Sequence, residues 1–322
     1  MGALRPSRLL TACALIIAIT GACQSSGTST SDQRTGDPSI VAVGDIACDP
    51  ANPSFADGHG TTNNCQQAAT SDLAVTADPT AVLALGDLQY DCGGTQAFAA
   101  SYGPTWGRLN AITRPVPGNQ EYNTSGTDCP AAGTAAGYFT YFGAAGGGLG
   151  QGWYSFDLGS WHIIALNANC DMVGGCDNGS PQETWLEADL KAHPSACTLA
   201  FWHQPRFSSG SHNNDGQMDD AWKALYAAHA DVVLNGHDHL YERFAPQDPN
   251  QNADPNGIAE FIVGTGGDDH GAFDNSIEPN SVIRDATSFG VLEMTLHPNG
   301  YDWQFVPAAG GTLTDQGSAS CH

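Results

Sequence analysis

Short apolar runs that end in a polar residue are the feature of this sequence that most limits the possible folds. Residues 39–45 read SIVAVGD and residues 81–87 read AVLALGD, so two apolar runs finish in the same Gly-Asp pair. Later runs end in His203 and in the pair His237 and His239. Runs of this length, bounded by turn residues, are typical of buried strands. Because the carboxyl ends of several strands converge in a sheet, we expect these polar residues to lie close together.

Helical segments separate the early runs, whereas the later runs follow one another directly. The strongest helix signal covers residues 180–193, where Ser180 can cap the helix, Pro181 occupies its first turn and Glu183 completes a capping box. Further helices are predicted over residues 65–77, 95–110 and 219–230, the second with a Gly-Pro break. Strands that first alternate with helices and later look antiparallel predict an α/β fold with a mixed sheet. One domain of catalytic size is expected over residues 39–322, with no internal repeat.

The charge balance excludes two classes of partner. The 322 residues include 34 Asp and Glu against 10 Lys and Arg, a formal net charge of −24. Nucleic-acid binding needs a basic face for phosphate contacts, so a nucleic-acid partner is not expected. Docking on an anionic membrane surface is disfavoured for the same reason. The hydrophobic content of 41% is enough for a packed core.

The amino terminus has the pattern of an export signal. A short positive start is followed by an apolar run over residues 9–20 that is too short to span a bilayer comfortably. Small residues then precede Cys23. We predict a signal of lipoprotein type over residues 1–23 with Cys23 as the lipidated residue, followed by a polar tether over residues 24–38.

Three alternatives to lipidation at Cys23 stay open. Plain cleavage is one, because Thr20 stands where lipoprotein signals usually have Leu. Cys13 ends a competing lipidation motif, and an uncleaved anchor helix is the third alternative. In the favoured interpretation the protein is exported, and it is either secreted or anchored by lipid on the outer face of the cell membrane. Any membrane contact would then pass through the N-terminal anchor.

Cysteine usage agrees with export. Beyond Cys23 the chain has eight scattered cysteines and no CxxC pair, so zinc-ribbon spacing is absent. In an exported protein eight cysteines predict four disulfides. Eight cysteines allow 105 pairings, and the sequence does not choose among them. Their order along the chain suggests Cys48–Cys65, Cys92–Cys129, Cys170–Cys176 and Cys197–Cys321, with Cys170–Cys176 favoured by its short separation.

Five short blocks in this sequence resemble a known family. The calcineurin-like metallophosphoesterases share such blocks in the same order: GDI (44–46), GDLQY (86–90), GNQE (118–121), WHQP (202–205) and GHDH (236–239). GDLQY and GHDHLYER (236–243) are similar to the purple acid phosphatase branch, where a Tyr three residues after the bridging Asp binds iron. The resemblance covers about residues 40–306 and lacks the N-terminal β-sandwich of plant members. It implies a four-layer α/β sandwich of two mixed β-sheets flanked by helices.

The resemblance also implies a centre with two metal ions. It assigns Asp45, Asp87, Tyr90 and His239 to the first metal, and Asp87, Asn119, His203 and His237 to the second, with Asp87 bridging. Two carboxylates, a phenolate and one imidazole form a hard, anionic set that suits Fe³⁺. A shared carboxylate, an amide oxygen and two imidazoles suit Zn²⁺, Mn²⁺ or Fe²⁺.

Two residues are predicted to contact the substrate phosphate. The family usually has His after the Asn of the third block, and this chain has Gln120. Gln can donate a hydrogen bond to a phosphoryl oxygen but cannot carry a positive charge or deliver a proton. A second substrate-facing His in this branch lies about nine residues after the His of the fourth block, a position that His212 matches. His212 is therefore the expected phosphate contact and proton donor, and an exposed loop histidine is the alternative.

These residues predict an exported metal-dependent phosphoric ester hydrolase. The implied reaction is acid-phosphatase-like cleavage of a small phosphate monoester by a metal-activated hydroxide. A phosphodiesterase or nucleotidase of the same fold is the first alternative. The second is a surface protein that binds metal or phosphate with weak turnover, because Gln120 replaces the usual His. The sequence leaves the physiological substrate and the oligomeric state open.

Overall fold

The computed structural model describes residues 1–2, 36–129 and 133–322. The predicted signal, its lipidation site Cys23 and most of the tether lie outside the described residues. The chain divides into two units, Met1–Thr35 and Gly36–His322. Gly36–His322 contains all strands and helices of the described residues. Within that part of the chain, no helix is both long enough and apolar enough to cross a bilayer.

Two mixed β-sheets form the centre of the second unit. Their strands, in chain order, are β1 (Ser39–Val43), β2 (Ala81–Ala84), β3 (Thr113–Pro115), β4 (Tyr154–Leu158), β5 (Trp161–Ala165), β6 (Cys197–Phe201), β7 (Val232–Asn235), β8 (Tyr241–Phe244), β9 (Ala259–Val263), β10 (Ser281–Asp285), β11 (Gly290–His297), β12 (Gly300–Pro307) and β13 (Gln316–Ser320). In the described residues the six-stranded sheet has the order β13-β12-β11-β1-β2-β3, and the seven-stranded sheet has the order β10-β8-β9-β7-β6-β5-β4. Strands β1, β2 and β3 are parallel neighbours. Strands β5, β6, β7 and β9 form a second parallel group.

Helices lie between the early strands, as the sequence pattern predicts. The α-helices of the described residues are α1 (Gln67–Ala77), α2 (Thr95–Ala97), α3 (Ala136–Phe142), α4 (Cys170–Val173), α5 (Pro181–Ala192) and α6 (Asp219–Ala227). Helix α5 begins as its capping signal predicts, because the Ser180 side chain accepts a hydrogen bond from Glu183 N at 3.2 Å.

The helical segment predicted over residues 95–110 has the predicted Gly-Pro break, but it is not regular α-helix on either side of it. It divides into α2, a π-helical turn at Phe98–Tyr102 and a 3₁₀ turn at Trp106–Leu109. The interruption falls at Pro104, which has no N–H to donate to the preceding turn.

Alternate residues of the seven-stranded sheet face two different hydrophobic clusters. Ile163, Leu199 and Leu234 join the cluster that contains Val41 and Leu83 of the six-stranded sheet. Their neighbours face the opposite side and pack with α5 and α6: Ile164, Ala200 and Val233 with Leu186, Trp222 and Leu225. One core therefore lies between the two sheets, and a second lies between one sheet and its helices. This is the predicted sandwich of two mixed β-sheets flanked by helices.

Four disulfides cross-link the loops and the C-terminal tail. They join Cys48–Cys65, Cys92–Cys129, Cys170–Cys176 and Cys197–Cys321, which are the pairs suggested by chain order. Cys197 is the first residue of β6, so the last bond connects the C-terminal tail to a central strand. All eight sulfurs are bonded to sulfur, so none is a free thiolate for a metal.

Candidate metal centre

The ends of parallel strands from both sheets bring the predicted ligands together. Asp45 and Asp87 follow the neighbouring strands β1 and β2, and His203 and His237 follow the neighbouring strands β6 and β7. Ligand atoms of Asp87, His203 and His237 lie within 4.8 Å of one another. The centre therefore lies where the carboxyl ends of two packed sheets meet.

The Tyr90 hydroxyl lies at the meeting point of the four residues predicted for the first metal. It is 3.0 Å from Asp45 Oδ1, 3.2 Å from Asp87 Oδ2 and 2.8 Å from His239 Nε2. Tyr90, Asp45 and Asp87 are buried. Two carboxylates, a phenol and an imidazole thus converge within hydrogen-bonding distance of one oxygen, which is a donor set suited to a hard trivalent cation.

The residues predicted for the second metal include two buried polar atoms with no hydrogen bond inside the described part of the chain. These atoms are Asn119 Oδ1 and His203 Nε2. His203 Nδ1 lies 2.8 Å from Leu85 O, and a carbonyl can only accept, so Nδ1 carries the proton and Nε2 is the free nitrogen. His203 Nε2 contacts Asp87 Oδ2 at 3.1 Å without hydrogen-bond geometry. Unpaired buried acceptors are costly, and a metal ion would satisfy both atoms. The residues present therefore fit a second cation.

The charges of the site also favour a cation. Burial and, after it, the neighbouring His203 lower the pKa of His237 to about 4. Burial disfavours the charged form of His203 too, but the carboxylates of Asp87 and Asp45 prevail and raise its pKa to about 9. Burial and the same two carboxylates raise the pKa of Tyr90 well above its usual range. A multivalent cation reverses this balance, because it stabilises the phenolate and the neutral imidazoles.

Three of the predicted ligands have left-handed backbone conformations. The φ angles are 59° at Asp45, 48° at Asp87 and 74° at His237. Such conformations cost about 1–3 kcal/mol each in non-glycine residues and concentrate at functional sites. Hydrogen bonds hold them here, since Asp45 N donates to Gly86 O at 3.1 Å and His237 N donates to Asp45 Oδ2 at 2.8 Å.

Two glycines that precede ligands permit close contact between loops. A Cβ at Gly86 would lie 2.6 Å from the His203 ring, and Gly86 also has a φ of +89°. A Cβ at Gly118 would lie 2.1 Å from Asp87 Oδ1. The Gly-Asp and Gly-Asn pairs are therefore more than turn signals, because any larger side chain would separate the ligand-bearing loops.

Glu121 is a buried residue of the site to which sequence reasoning assigned no role. Its Oε2 accepts hydrogen bonds from Asp87 N at 3.1 Å and Gly118 N at 2.7 Å. Its Oε1 accepts from Leu88 N at 2.8 Å and Gln89 N at 3.1 Å. Glu121 thus joins the two loops that carry Asp87 and Asn119. Its place in the GNQE block was the available signal, but three of its four partners lie more than thirty residues away in sequence.

The loop after β9 supplies a second contact that sequence reasoning missed. Asp269 Oδ1 is hydrogen-bonded to His239 Nδ1, which leaves His239 Nε2 toward the Tyr90 hydroxyl. Carboxylates commonly orient metal-binding imidazoles in this way. The neighbouring Asp268 also lies near His239, and burial raises its pKa to about 8. The preceding GTGG (264–267) has the local sequence of a simple turn, which gives no signal of this contact.

The two residues predicted to contact phosphate lie at the edge of the same centre. The ring centroid of His212 is 4.5 Å from that of His237, and half of the His212 side chain is exposed. Gln120 N donates to Asp87 Oδ1 at 2.8 Å, while Gln120 Oε1 accepts from Asn123 Nδ2 at 3.2 Å. This arrangement leaves the Gln120 amide NH₂ as the group that can donate to an anion.

Comparisons with known proteins agree with this geometry. No family model matches the sequence. Purple acid phosphatase 18 of Arabidopsis thaliana is 33% identical over 153 residues, which cover 45% of this chain and 34% of the relative. Purple acid phosphatase 23 of the same plant is 29% identical over 252 residues, which cover 68% of this chain and 53% of the relative. The chain thus spans about a third to a half of the length of these relatives.

A solved structure matches over most of the chain. It is purple acid phosphatase PPD1 from yellow lupin (Lupinus luteus) seeds, with a TM-score of 0.68 and 17% sequence identity. The match covers 88% of this chain and 53% of the lupin chain. The two packed mixed sheets, with ligand-type residues at their converging strand ends, define a calcineurin-like metallophosphoesterase fold. Part of the sequence is also similar to the purple acid phosphatases of Arabidopsis thaliana.

Proposed function

We propose that this protein is a metal-dependent phosphohydrolase acting on small phosphate monoesters. The observation that carries the proposal is the convergence of Asp45, Asp87 and His239 on the Tyr90 hydroxyl. Buried carboxylates and imidazoles of this kind are expensive to assemble without a cation, and a fold of this class presents them where substrates enter. The names of the sequence relatives, which are purple acid phosphatases, support the same activity.

The proposed centre holds two ions. Fe³⁺ would be held by Asp45, Asp87, Tyr90 and His239, and Zn²⁺, Mn²⁺ or Fe²⁺ by Asp87, Asn119, His203 and His237. When bound, such ions supply Lewis-acid polarisation of the phosphoryl group and a nucleophile from water at moderate pH. The chain itself orients the ligands: Leu85 O holds the His203 ring and Asp269 holds the His239 ring.

Gln120 and His212 are proposed to contact the substrate. The Gln120 amide would donate one neutral hydrogen bond to a phosphoryl oxygen. His212 can transfer a proton, which Gln120 cannot, so His212 is the proposed donor to the leaving group.

Turnover of two aryl esters by the full chain tests the proposed activity. After loading with iron and with zinc or manganese, we expect p-nitrophenyl phosphate to be hydrolysed faster than bis(p-nitrophenyl) phosphate. Preference for the diester would favour the phosphodiesterase alternative. Metal binding without turnover of either ester would favour the second alternative, a surface protein that binds metal or phosphate. The observation behind that alternative is the neutral Gln120 in place of a histidine.

Export is part of the proposal. Four disulfides support an oxidising location, because cytosolic thiols are kept reduced. Anchoring through a lipid on Cys23 is proposed from the sequence pattern alone. Mass measurement of the mature N-terminus in the producing cell distinguishes lipidation from plain cleavage.

The Tyr90→Phe variant tests the iron assignment by colour. A phenolate bound to Fe³⁺ should give the loaded wild-type protein a visible charge-transfer band, and we expect Tyr90→Phe to lose it while far-UV circular dichroism is unchanged. Tyr226→Phe is the matched control, because Tyr226 lies on α6 and its hydroxyl donates to Asp254. A colourless, iron-free wild-type protein with full activity would refute iron at this position, although not the hydrolase activity.

Substitutions at Gln120 test its proposed single hydrogen bond. Gln120→Ala removes about 0.5–1.5 kcal/mol of neutral hydrogen bonding, so kcat/KM should fall by roughly tenfold at most. Gln120→His introduces a second group able to transfer protons. Hydrolysis of alkyl phosphates should rise clearly if protonation of the leaving group limits the rate, and only slightly if His212 already supplies that proton. Steady-state kinetics on an aryl and an alkyl monoester measure both effects. A loss of several hundredfold in Gln120→Ala would mean that Gln120 has a larger role than a single hydrogen bond.

A further inference from the structure

Three buried carboxylates hold the loop that carries His212. Glu260 Oε1 accepts from Phe207 N at 3.3 Å. Glu242 accepts from Ser209 N at 2.8 Å and from Ser209 Oγ at 2.6 Å. Asp238 accepts from Ser208 Oγ and from two nitrogens of His212. All three carboxylates are at most 1% exposed. Each therefore provides the hydrogen-bond acceptor for buried donors that would otherwise have no partner.

Asp238 differs from the other two because it contacts the His212 ring. Asp238 Oδ1 lies 3.1 Å from His212 N and 3.1 Å from His212 Nδ1, and its other oxygen accepts from Ser208 Oγ. A carboxylate accepts hydrogen bonds, so the proton of the His212–Asp238 contact belongs to Nδ1. The remaining nitrogen, Nε2, is then the one available to a substrate at the centre.

The backbone of the loop is packed directly on Asp238. A Cβ at Gly210 would lie 2.2 Å from the Asp238 carboxylate, and Gly210 N donates to Ser208 Oγ at 2.9 Å. The His212 ring in turn lies against the ring of His237, with centroids 4.5 Å apart. Asp238 therefore sets the loop position, the ring orientation and the tautomer of His212 at once.

We propose that Asp238 is the positioning residue that presents Nε2 of His212 to the leaving group of the phosphate ester. This inference deepens the proposed function and rests on it. In the reaction the P–O bond breaks and its electron pair moves to the leaving oxygen, which takes the proton from Nε2. The oxygen of a water molecule bonds to phosphorus, and a proton of that water restores His212. The Nδ1–H group stays hydrogen-bonded to Asp238 throughout, so the His212–Asp238 pair keeps its geometry through the cycle.

A double-mutant cycle tests this role in the metal-loaded full chain. The variants are Asp238→Asn, His212→Ala and their combination, each measured on p-nitrophenyl phosphate and on glycerol phosphate. Aryl leaving groups need little protonation and alkyl leaving groups need much, so Asp238→Asn should lower kcat on glycerol phosphate by about 10- to 100-fold and on the aryl ester by less than about threefold. KM should change little. In the combination, Asp238→Asn should add nothing to the loss caused by His212→Ala.

The control variant is Glu242→Gln. Glu242 holds the same loop through Ser209 but makes no hydrogen bond to His212 within the described residues. We expect it to affect the two esters equally. Equal losses on both esters in Asp238→Asn, losses that add to those of His212→Ala, or loss of bound metal would each overturn the positioning role.

Two further measurements keep the proposal testable if a variant or the activity fails. If Asp238→Asn does not fold, Ser208→Ala removes one partner of Asp238, and a smaller loss confined to glycerol phosphate is expected. Equal loss on both esters in Ser208→Ala would also overturn the proposal.

If the wild-type protein hydrolyses neither ester, the proposed function fails. Binding of inorganic phosphate then tests the His212–Asp238 contact separately. If Asp238 acts by holding His212, Asp238→Asn and His212→Ala should weaken phosphate binding to the same extent. Unequal losses of affinity would overturn the proposal.

Discussion

Asp87→Ala should abolish activity and metal binding together. Asp87 is the proposed bridge: Oδ2 lies 3.2 Å from the Tyr90 hydroxyl and 3.1 Å from His203 Nε2, while Oδ1 accepts from Gln120 N at 2.8 Å. The substitution removes one carboxylate from both ligand sets and leaves two cations with fewer anionic partners. We expect kcat/KM to fall by about 10³-fold or more, since the proposed metal ions would supply most of the transition-state stabilisation.

Metal content measured beside activity makes this result interpretable. The variant should retain less than one of the two ions, and its circular dichroism should match that of the wild type. Asp171→Ala is the matched control, because Asp171 is an exposed aspartate on α4. Wild-type rates in Asp87→Ala would contradict a dinuclear mechanism, whereas metal retention with lost activity would place the role of Asp87 in catalysis alone.

Glu121→Gln should cause the largest loss of stability among conservative changes at the site. Each Glu121 oxygen accepts two backbone N–H groups, and both oxygens are buried. Gln retains one acceptor oxygen and turns an NH₂ toward two N–H donors, so two buried donors lose their partner. At about 1–3 kcal/mol for each unsatisfied group, the free energy of unfolding should fall by about 2–5 kcal/mol.

Urea unfolding at neutral pH, monitored on the protein with its disulfides intact, measures this difference. Glu187→Gln is the control, because Glu187 is exposed on α5 and should change stability by less than about 0.5 kcal/mol. Glu121→Gln should also weaken metal binding, since it loosens the loops of Asp87 and Asn119. Unchanged stability would show that the Glu121 hydrogen bonds contribute little to the fold.

The convergence of four proposed ligands was predictable because each of them closely follows a buried strand. Asp45, Asp87, His203 and His237 come after apolar runs, and period and composition identify such runs as strands without any long-range information. The ordered blocks then supplied the resemblance that grouped them. The structure brings Tyr90 and His239 to the same point, as that resemblance implies.

The residues that support the ligands were not predictable in this way. Glu121 accepts hydrogen bonds from the backbone of Asp87, Leu88 and Gln89. Asp238 accepts hydrogen bonds from a loop about thirty residues before it. A carboxylate in a polar block has the same local signature whether it faces water or accepts four backbone hydrogen bonds. Its role depends on which distant N–H groups the folded chain places beside it.

The amino-acid sequence alone specified the strands, most helices, the order of the ligand blocks and the acidic charge, because these depend on local pattern and composition. It suggested the disulfide pairs only by their order, and the approach of the C-terminal tail to β6 selects Cys197–Cys321. The contact between the two sheets, the left-handed conformations of Asp45 and Asp87, and the burial of Glu121 and Asp238 arise from packing. Packing brings together residues that are far apart in sequence. The energy of these contacts depends on the fit between the two surfaces and on the loss of water from them, and a short stretch of sequence contains neither.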